Sequence, residues 1–332
     1  MPDFYLKYTG EEIEARLDKV TELETGKASL WDSEKQYAKG DFCVHKGYLW
    51  VCTSAAGNTG TEPSTNYNVW NVTYSNPNLL DNPWFTVNQR GQSEYNFTGA
   101  DGYTVDRYFL ENSTLNVTDN GVELGVGGVL IQYEDLESCK NLVGKTVTVS
   151  IRTSDGEIFA VTNLFPDIDK DTTKGFSTTL ANGLGVSVIS FSVQTDKVQT
   201  LRLFAAESLV TIKAVKLELG PVSTLANDTA PDYATELLKC QRYFQKDYIH
   251  TTRYNSSSSA EAVNVFLKTN MRTVPSIVIT ECAYWNGSVW TPVNYTIPDQ
   301  LGSAGYFSCW ANAIPTGQQI NIIVRYEASA DL

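Results

Sequence analysis

The side chains best equipped for chemistry in this 332-residue chain are two histidines, scattered carboxylates and one aromatic stretch near the C-terminus. His45 sits beside a Lys46-Gly47 turn, and His250 follows Tyr248-Ile249 at an expected strand start. Neither has partners spaced as a nucleophilic triad or a metal site requires, so both read as packing or surface residues. No Gly-x-Ser-x-Gly, P-loop or His-Glu-x-x-His motif occurs. Asp167-Ile168-Asp169-Lys170-Asp171 alternates as a calcium loop does. Its sixth position is Thr172 rather than glycine and its twelfth is Thr178 rather than glutamate, so it reads as a solvated acidic turn. No metal and no cofactor is expected. Facing carboxylates cleave polysaccharides in some enzymes, but those usually sit on long repeat-built β-helices, and this chain shows no such repeat. The expectation is a chain that is not an enzyme.

The aromatic stretch points to binding. Tyr284, Trp285, Asn286, Trp290, Asn294 and Tyr295 combine aromatic faces, which stack on the C–H faces of sugars, with amides that hydrogen-bond hydroxyls. Tyr284-Trp285-Asn286-Gly287-Ser288-Val289-Trp290 also has the form of a hairpin with an Asn-Gly turn. Trp285 and Trp290 therefore have two readings: a ligand contact, or a cross-strand pair that closes the sheet. Trp310, beside Cys309, is expected in the core.

The elements that must hold these residues are almost all strands. Hydrophobic residues make up 42 % of the chain and aromatics 11 %, and Asn, Thr, Ser and Gly crowd the gaps between short apolar runs, as in an all-β protein. The formal net charge of −13 repels phosphate backbones and anionic bilayers, so nucleic acid is excluded as a partner. No run of about 18 apolar residues occurs, so no membrane insertion is expected. Met1-Pro2-Asp3-Phe4-Tyr5 lacks both the basic and the apolar part of a signal peptide, and the six scattered cysteines read as reduced, mostly buried thiols.

The one amphipathic helix is expected near the front. Thr9 and Glu12 form a capping box, Tyr8 and Ile13 a hydrophobic staple, and Gly26 a stop. Ile13, Leu17 and Val20 make a stripe too narrow to persist alone. With Ile13 and Val20 at d and Leu17 at a, the stripe favours more than two strands; docking on the next domain is the alternative. Residues 28–75 read as a small β module, with Phe42 paired to Val51, Cys43 to Trp50, Val44 to Leu49 and His45 to Tyr48. Residues 76–222 read as a jelly-roll-like β-sandwich ending in Val210–Gly220, an alternating half-buried strand. Residues 223–246 read as a connector whose short helix is capped by Asp232, with Leu237, Leu238, Cys240 and Tyr243 as its apolar face. Residues 247–332 read as a C-terminal β-sandwich.

Trp31, Tyr37, Gly40-Asp41, Gly47, Tyr48, Pro63 and Trp70 occur in the order found in small chitin-binding carbohydrate-binding modules, which the segment resembles. That resemblance implies exposed aromatics that stack on sugar rings, although Thr53–Gly60 departs from the pattern in carrying none. Across the chain the order of motifs is Tyr8-Thr9-Gly10-Glu11-Glu12-Ile13, Asn78-Leu79-Leu80-Asp81-Asn82-Pro83, Val87-Asn88-Gln89-Arg90-Gly91, Val215–Gly220, Lys239–Phe244 and Met271-Arg272-Thr273-Val274-Pro275. In this order they resemble the tail fibres and receptor-binding proteins of bacteriophages and phage-derived tail particles. The resemblance implies an elongated homotrimer with residues 1–27 as a trimerising coiled coil toward the tail, made in the bacterial cytoplasm and carried in the virion. It implies partners among other tail or baseplate proteins and a bacterial surface glycan or protein bound by the C-terminal domain. A shaft or adaptor without its own receptor site, and a polysaccharide-degrading tail enzyme, are the alternatives.

Overall fold

The computed structural model describes residues 29–165, 176–178, 186–193, 197–205, 209–255, 260–297 and 304–331, with 176–178 and 186–193 described by their backbone only. The expected trimerising helix with Ile13, Leu17 and Val20, and the Asp167, Asp169 and Asp171 turn, lie outside the described residues. The chain is mainly β, with five sheets among the described residues. No helix among them is long and apolar enough to cross a membrane.

The first sheet orders β1 (Phe42–His45), β2 (Tyr48–Cys52) and β3 (Trp70–Val72) side by side. Lys46 and Gly47 both have positive φ, 50° and 82°, which is the type I′ turn that suits right-twisted strands. The turn sets the register, Phe42 to Val51 through His45 to Tyr48. Alternation then sends Cys43, Trp50 and Cys52 inward with Tyr37, Tyr67 and Trp70, a core that Ile158 and Val222 of the next unit complete. Tyr37 and Trp70 meet edge-to-face at 5.0 Å. The large aromatics that carry the carbohydrate-module resemblance are thus mostly packing residues.

The middle unit stacks two six-stranded sheets around one core. Its strands are β4 (Glu94–Asn96), β5 (Asp101–Tyr103), β6 (Tyr108–Glu111), β7 (Thr114–Thr118), β8 (Gly121–Leu124), β9 (Val129–Asp135), β10 (Thr146–Thr153), β11 (Ile158–Leu164), β12 (Phe176–Thr178), β13 (Val186–Val193), β14 (Lys197–Ala205) and β15 (Val210–Leu219). One sheet runs β11-β10-β15-β8-β7-β4 and the other β12-β13-β14-β9-β6-β5. A one-turn helix, α1 (Leu136–Cys139), follows β9 and is capped by Asp135.

β15 departs from the clean alternation expected of it. Arg152 of β10 pairs with Ala214 but Thr153 pairs with Ile212, so Lys213 is an extra residue in a β-bulge. The bulge shifts the phase. Ile212 faces the core before it, and Val215 and Leu217 after it. Lys216 and Glu218 take the opposite face, yet both are fully buried, because residues 223–228 and Ser75 fold over them.

The connector forms α2 (Tyr233–Cys240), with Asp232 accepting from the Thr235 N–H as its cap. Of its expected apolar face, Cys240 and Tyr243 are buried and Leu237 is half-buried, but Leu238 faces solvent, while Glu236 is buried and accepts from the Asn82 N–H at 2.8 Å. A helix of eight residues offers little apolar stripe, so a polar anchor sets its orientation.

The C-terminal unit again shares one core between two sheets. Its strands are β16 (Phe244–Asn255), β17 (Ala260–Phe266), β18 (Ser276–Trp285), β19 (Trp290–Pro292), β20 (Tyr295–Thr296), β21 (Tyr306–Asn312) and β22 (Gln318–Ser329). The sheets are ordered β16-β22-β18-β19 and β17-β21-β20. His250 lies mid-strand in β16, not at its start. Trp310 is corrected from core to surface, 41 % exposed, because Cys309 points inward and its neighbour in a strand must point out.

Candidate functional site

The outer face of the four-stranded C-terminal sheet is where register gathers aromatic and polar side chains. Thr252 pairs with Asn321, Asn321 with Trp285, and Trp285 with Trp290, so these four form one row across the sheet. The next row outward is His250, Ile323, Ala283 and Pro292, and the next Tyr248, Arg325 and Glu281.

Trp285 and Trp290 meet at 5.6 Å, nearly edge-to-face. Trp290 also lies 5.5 Å from the His250 ring. β19 and β16 are opposite edges of the sheet, so the Trp290 indole must reach back across its outer face. Ala283 and Ile323 face outward beneath it and are nonetheless buried, as a ring crossing above them requires. Arg325 donates to Glu281 at 2.6 Å and sits 5.1 Å from the Tyr248 ring. Thr252 donates to Asn321 Oδ1 at 2.6 Å. The result is a ledge of two indoles, each 37 % exposed, bordered by an amide, a hydroxyl and an ion pair. Aromatic faces of this kind stack on the apolar face of a sugar ring while flanking polar groups take its hydroxyls.

Of the six residues expected to bind, the structure brings Trp285 and Trp290 together and disperses the rest. Tyr284 alternates to the inner face and packs on the core. Asn286 is consumed by the loop: its Oδ1 accepts from the Ser288 and Val289 N–H groups and its amide donates to Thr291. The Asn294 carbonyl accepts from the Asn312 N–H. Tyr295 belongs to the other sheet and donates to the Ile279 carbonyl at 3.2 Å, tying the two sheets together. Tyr248, Thr252, Asn321 and Arg325 are not among the expected site residues, and His250, expected as a packing or surface residue, packs on Trp290 at this face. The alternation of Tyr248, His250 and Thr252 along one strand was a signal for a shared face, but only pairing shows what that face meets.

A second polar cluster lies where the middle unit meets α2 and the chain end. Arg107 is fully buried. It donates to the Tyr133 carbonyl at 2.6 Å, to Asp81 at 3.2 Å and to Glu134, and lies 3.4 Å over the Tyr243 ring. Burial opposes its charge, but Glu134, Tyr243 and Asp81 hold its pKa above the ordinary range. Arg90 pairs with Asp331 at 2.6 Å and stacks 3.9 Å from the Phe244 ring. Gln89 donates to Asp106 and to the Phe244 carbonyl. Asp81 and Glu134 line a cleft of about 250 Å³, but both are in contact with Arg107, so this cluster is an ionic joint between units.

Asp106 gives the joint a pH dependence. It faces Gln89, Arg90 and Asp331, and burial outweighs the two Gln89 hydrogen bonds, raising its pKa to about 6. Glu134, Asp331 and Glu218 are likewise raised by burial. A raised carboxylate binds a proton in the folded state that the unfolded state has released, so stability increases as pH falls from about 6 toward 4. The Asp106 contribution is about 2–3 kcal/mol at about 1.4 kcal/mol per pKa unit. Urea unfolding is expected to give a higher midpoint at pH 5 than at pH 7.5, with Asp106→Asn removing much of the difference. A midpoint that falls on acidification over this range contradicts the assignment.

Among the described residues, no group of three or more His, Cys, Asp or Glu side chains could hold a metal ion. All six cysteines are buried and free. No protein-family model matches this chain, and no curated protein and no solved structure matches it either.

Proposed function

We propose that this protein is a fibre or receptor-binding protein of a phage-type tail, which attaches the particle to a bacterial surface glycan through the outer face of its C-terminal unit. The observation that carries the reading is the part-exposed Trp285–Trp290 pair, held against His250 on the outer face of the sheet with polar groups along its border. The order of motifs along the chain supports the tail-particle setting and, with it, the homotrimer, the N-terminal coiled coil, the jelly-roll-like middle unit, the virion location and contacts to other tail or baseplate proteins. The protein binds without a catalytic step of its own. Three tips on one shaft raise effective local concentration, so a shallow ledge suffices for adhesion.

The test is binding of the fluorescently labelled full chain to a panel of bacterial strains and their purified surface polysaccharides. Some strains are expected to label, and the Trp285→Ala/Trp290→Ala double variant is expected to lose about tenfold or more in affinity, as loss of two stacking contacts implies. The Trp290 indole covers Ala283 and Ile323, so the thermal midpoint is expected to fall, and the double variant is compared at a temperature where circular dichroism shows it folded. Unchanged labelling by a folded double variant removes the ledge from consideration. Light scattering is expected to give three times the 36.7 kDa chain mass, and a stable single-chain species contradicts the trimer. The ionic joints between the units favour a second reading, a shaft that holds another protein's receptor site. Capture of a second tail protein by the C-terminal unit, with no strain labelled, selects it.

A further inference from the structure

We propose that the cleft between the small unit and the middle unit is a separate binding site, for a saccharide carrying a carboxylate or phosphate group. The cleft has a volume of about 500 Å³, within the range of small-molecule sites. Tyr67 and Asn68 of the small unit line it on one side, and the charged side chains lining it are Arg152, Asp155, Glu157 and Lys213 of the middle unit.

Three observations favour an anionic guest. Arg152 is half-buried, yet no carboxylate lies within ion-pair distance among the described residues; its Nη2 donates to the Leu225 carbonyl at 2.7 Å and its guanidinium lies 5.4 Å from the Trp84 ring. Lys213 likewise makes no ion pair among the described residues, although Asp155 and Glu157 line the same cleft. Acidic residues outnumber basic ones 38 to 25 in this chain, and Lys216, three residues further on, pairs with Asp228 at 2.7 Å. Neither cation of the cleft has a carboxylate within ion-pair distance among the described residues, although Asp228 acts on Arg152 from further off.

The backbone supplies the third observation. Lys213 is the extra residue of the bulge opposite Arg152 and Thr153. Bulges re-aim a side chain that regular pairing would send to the other face. Arg152 and Lys213, which strict alternation would separate, both line the cleft as a result. An anionic group fits between them, where the guanidinium fork adds direction to charge. The remaining lining suits a sugar. Asn68 accepts from the Ile158 N–H through Oδ1, which leaves its amide N–H groups as donors. Asp155 and Glu157 are exposed in the cleft and accept from hydroxyls, while Tyr67 and Ile158 are largely buried at its floor.

The test is calorimetric titration of the full chain carrying Trp285→Ala/Trp290→Ala, which removes the C-terminal ledge, with a glucuronate-containing tetrasaccharide, with glucose 6-phosphate and with neutral chitotetraose. Binding of the uronate or of the phosphate sugar, and not of the neutral one, is expected, and the better ligand identifies the source of the anion. Affinity should fall from roughly 20 mM to roughly 200 mM sodium chloride, as screening requires. Lys213→Gln is expected to weaken binding about tenfold, the size of one charge-assisted hydrogen bond, with an unchanged thermal midpoint. Arg152→Lys, which retains charge but loses the fork, should weaken it as well. Binding in this background belongs to the cleft, so its failure is distinct from failure of the C-terminal ledge. Equal binding of the neutral tetrasaccharide, no binding at millimolar ligand, or full affinity in Lys213→Gln overturns the proposal.

Discussion

Replacing Arg107 by alanine is expected to lower the unfolding free energy by about 3–5 kcal/mol, the range for breaking a buried ion pair. The guanidinium is the shared counter-ion of Asp81 and Glu134 and the platform for the Tyr243 ring. Its removal leaves both carboxylates facing each other with the Tyr133 carbonyl unpaired. The backbone strengthens the argument. Arg107 has φ of 76°, a left-handed conformation that L-residues avoid. It is held there because the side chain is fixed at three points, so the contacts offset the strain. Arg107→Gly relieves the backbone but loses the same contacts, and is expected to recover only about 1 kcal/mol of the loss. Arg107→Lys keeps the charge and cannot satisfy both carboxylates and the carbonyl together. Because Tyr243 starts the path into β16, the loss should also loosen the C-terminal unit. Urea unfolding of the alanine variant is expected to show an early transition for that unit, and limited proteolysis to cut near residue 240 more readily. A single transition within about 1 kcal/mol of the wild type contradicts the role assigned to Arg107.

Lys216 is the corresponding element at the other junction. Its ammonium donates to Thr224 at 2.8 Å, to Asp228 at 2.7 Å and to Ser75 at 3.3 Å, with Glu218 at 3.9 Å. Glu218 is fully buried and accepts from the Thr224 N–H and hydroxyl. Asn227 meanwhile donates to the carbonyls of Val72 and Tyr74, so the exit of the small unit is gripped by the same loop. Lys216→Met preserves volume but strands Glu218, and about 3–5 kcal/mol of destabilisation is expected. Lys216→Met/Glu218→Gln should recover part of that loss, because the uncompensated charge has gone. A double-mutant cycle on the two positions is expected to give a coupling above about 1 kcal/mol. Strict additivity shows that Lys216 acts through Asp228, Thr224 and Ser75 and not through Glu218.

The features legible along the chain are those that a few neighbouring residues settle. Lys46-Gly47 dictates a type I′ turn, and with it the pairing of the flanking strands. Asp232 caps its helix through a bond spanning three residues. Trp285 and Trp290 flank a loop short enough to bring them opposite each other. The hidden features depend on what lies across the fold. Lys216 and Glu218 alternate like a solvated strand face until residues 223–228 cover them. Trp310 reads as core by its type but is turned outward by the phase of Cys309. His250 is placed beside Trp290 across β22 and β18, and β22 lies beyond both residues in the sequence.

The amino-acid order by itself determined that this chain builds strands, where its tight turns fall, and that its aromatics include a pair able to stack. These follow from backbone sterics and period-two alternation, which act over a few residues. Only the tertiary structure decided which face of each strand is covered, which charges are sealed into the two joints, and that Arg152 and Lys213 share one cleft. Burial and ion pairing depend on distances between residues far apart in the chain, and local propensity carries no record of those distances.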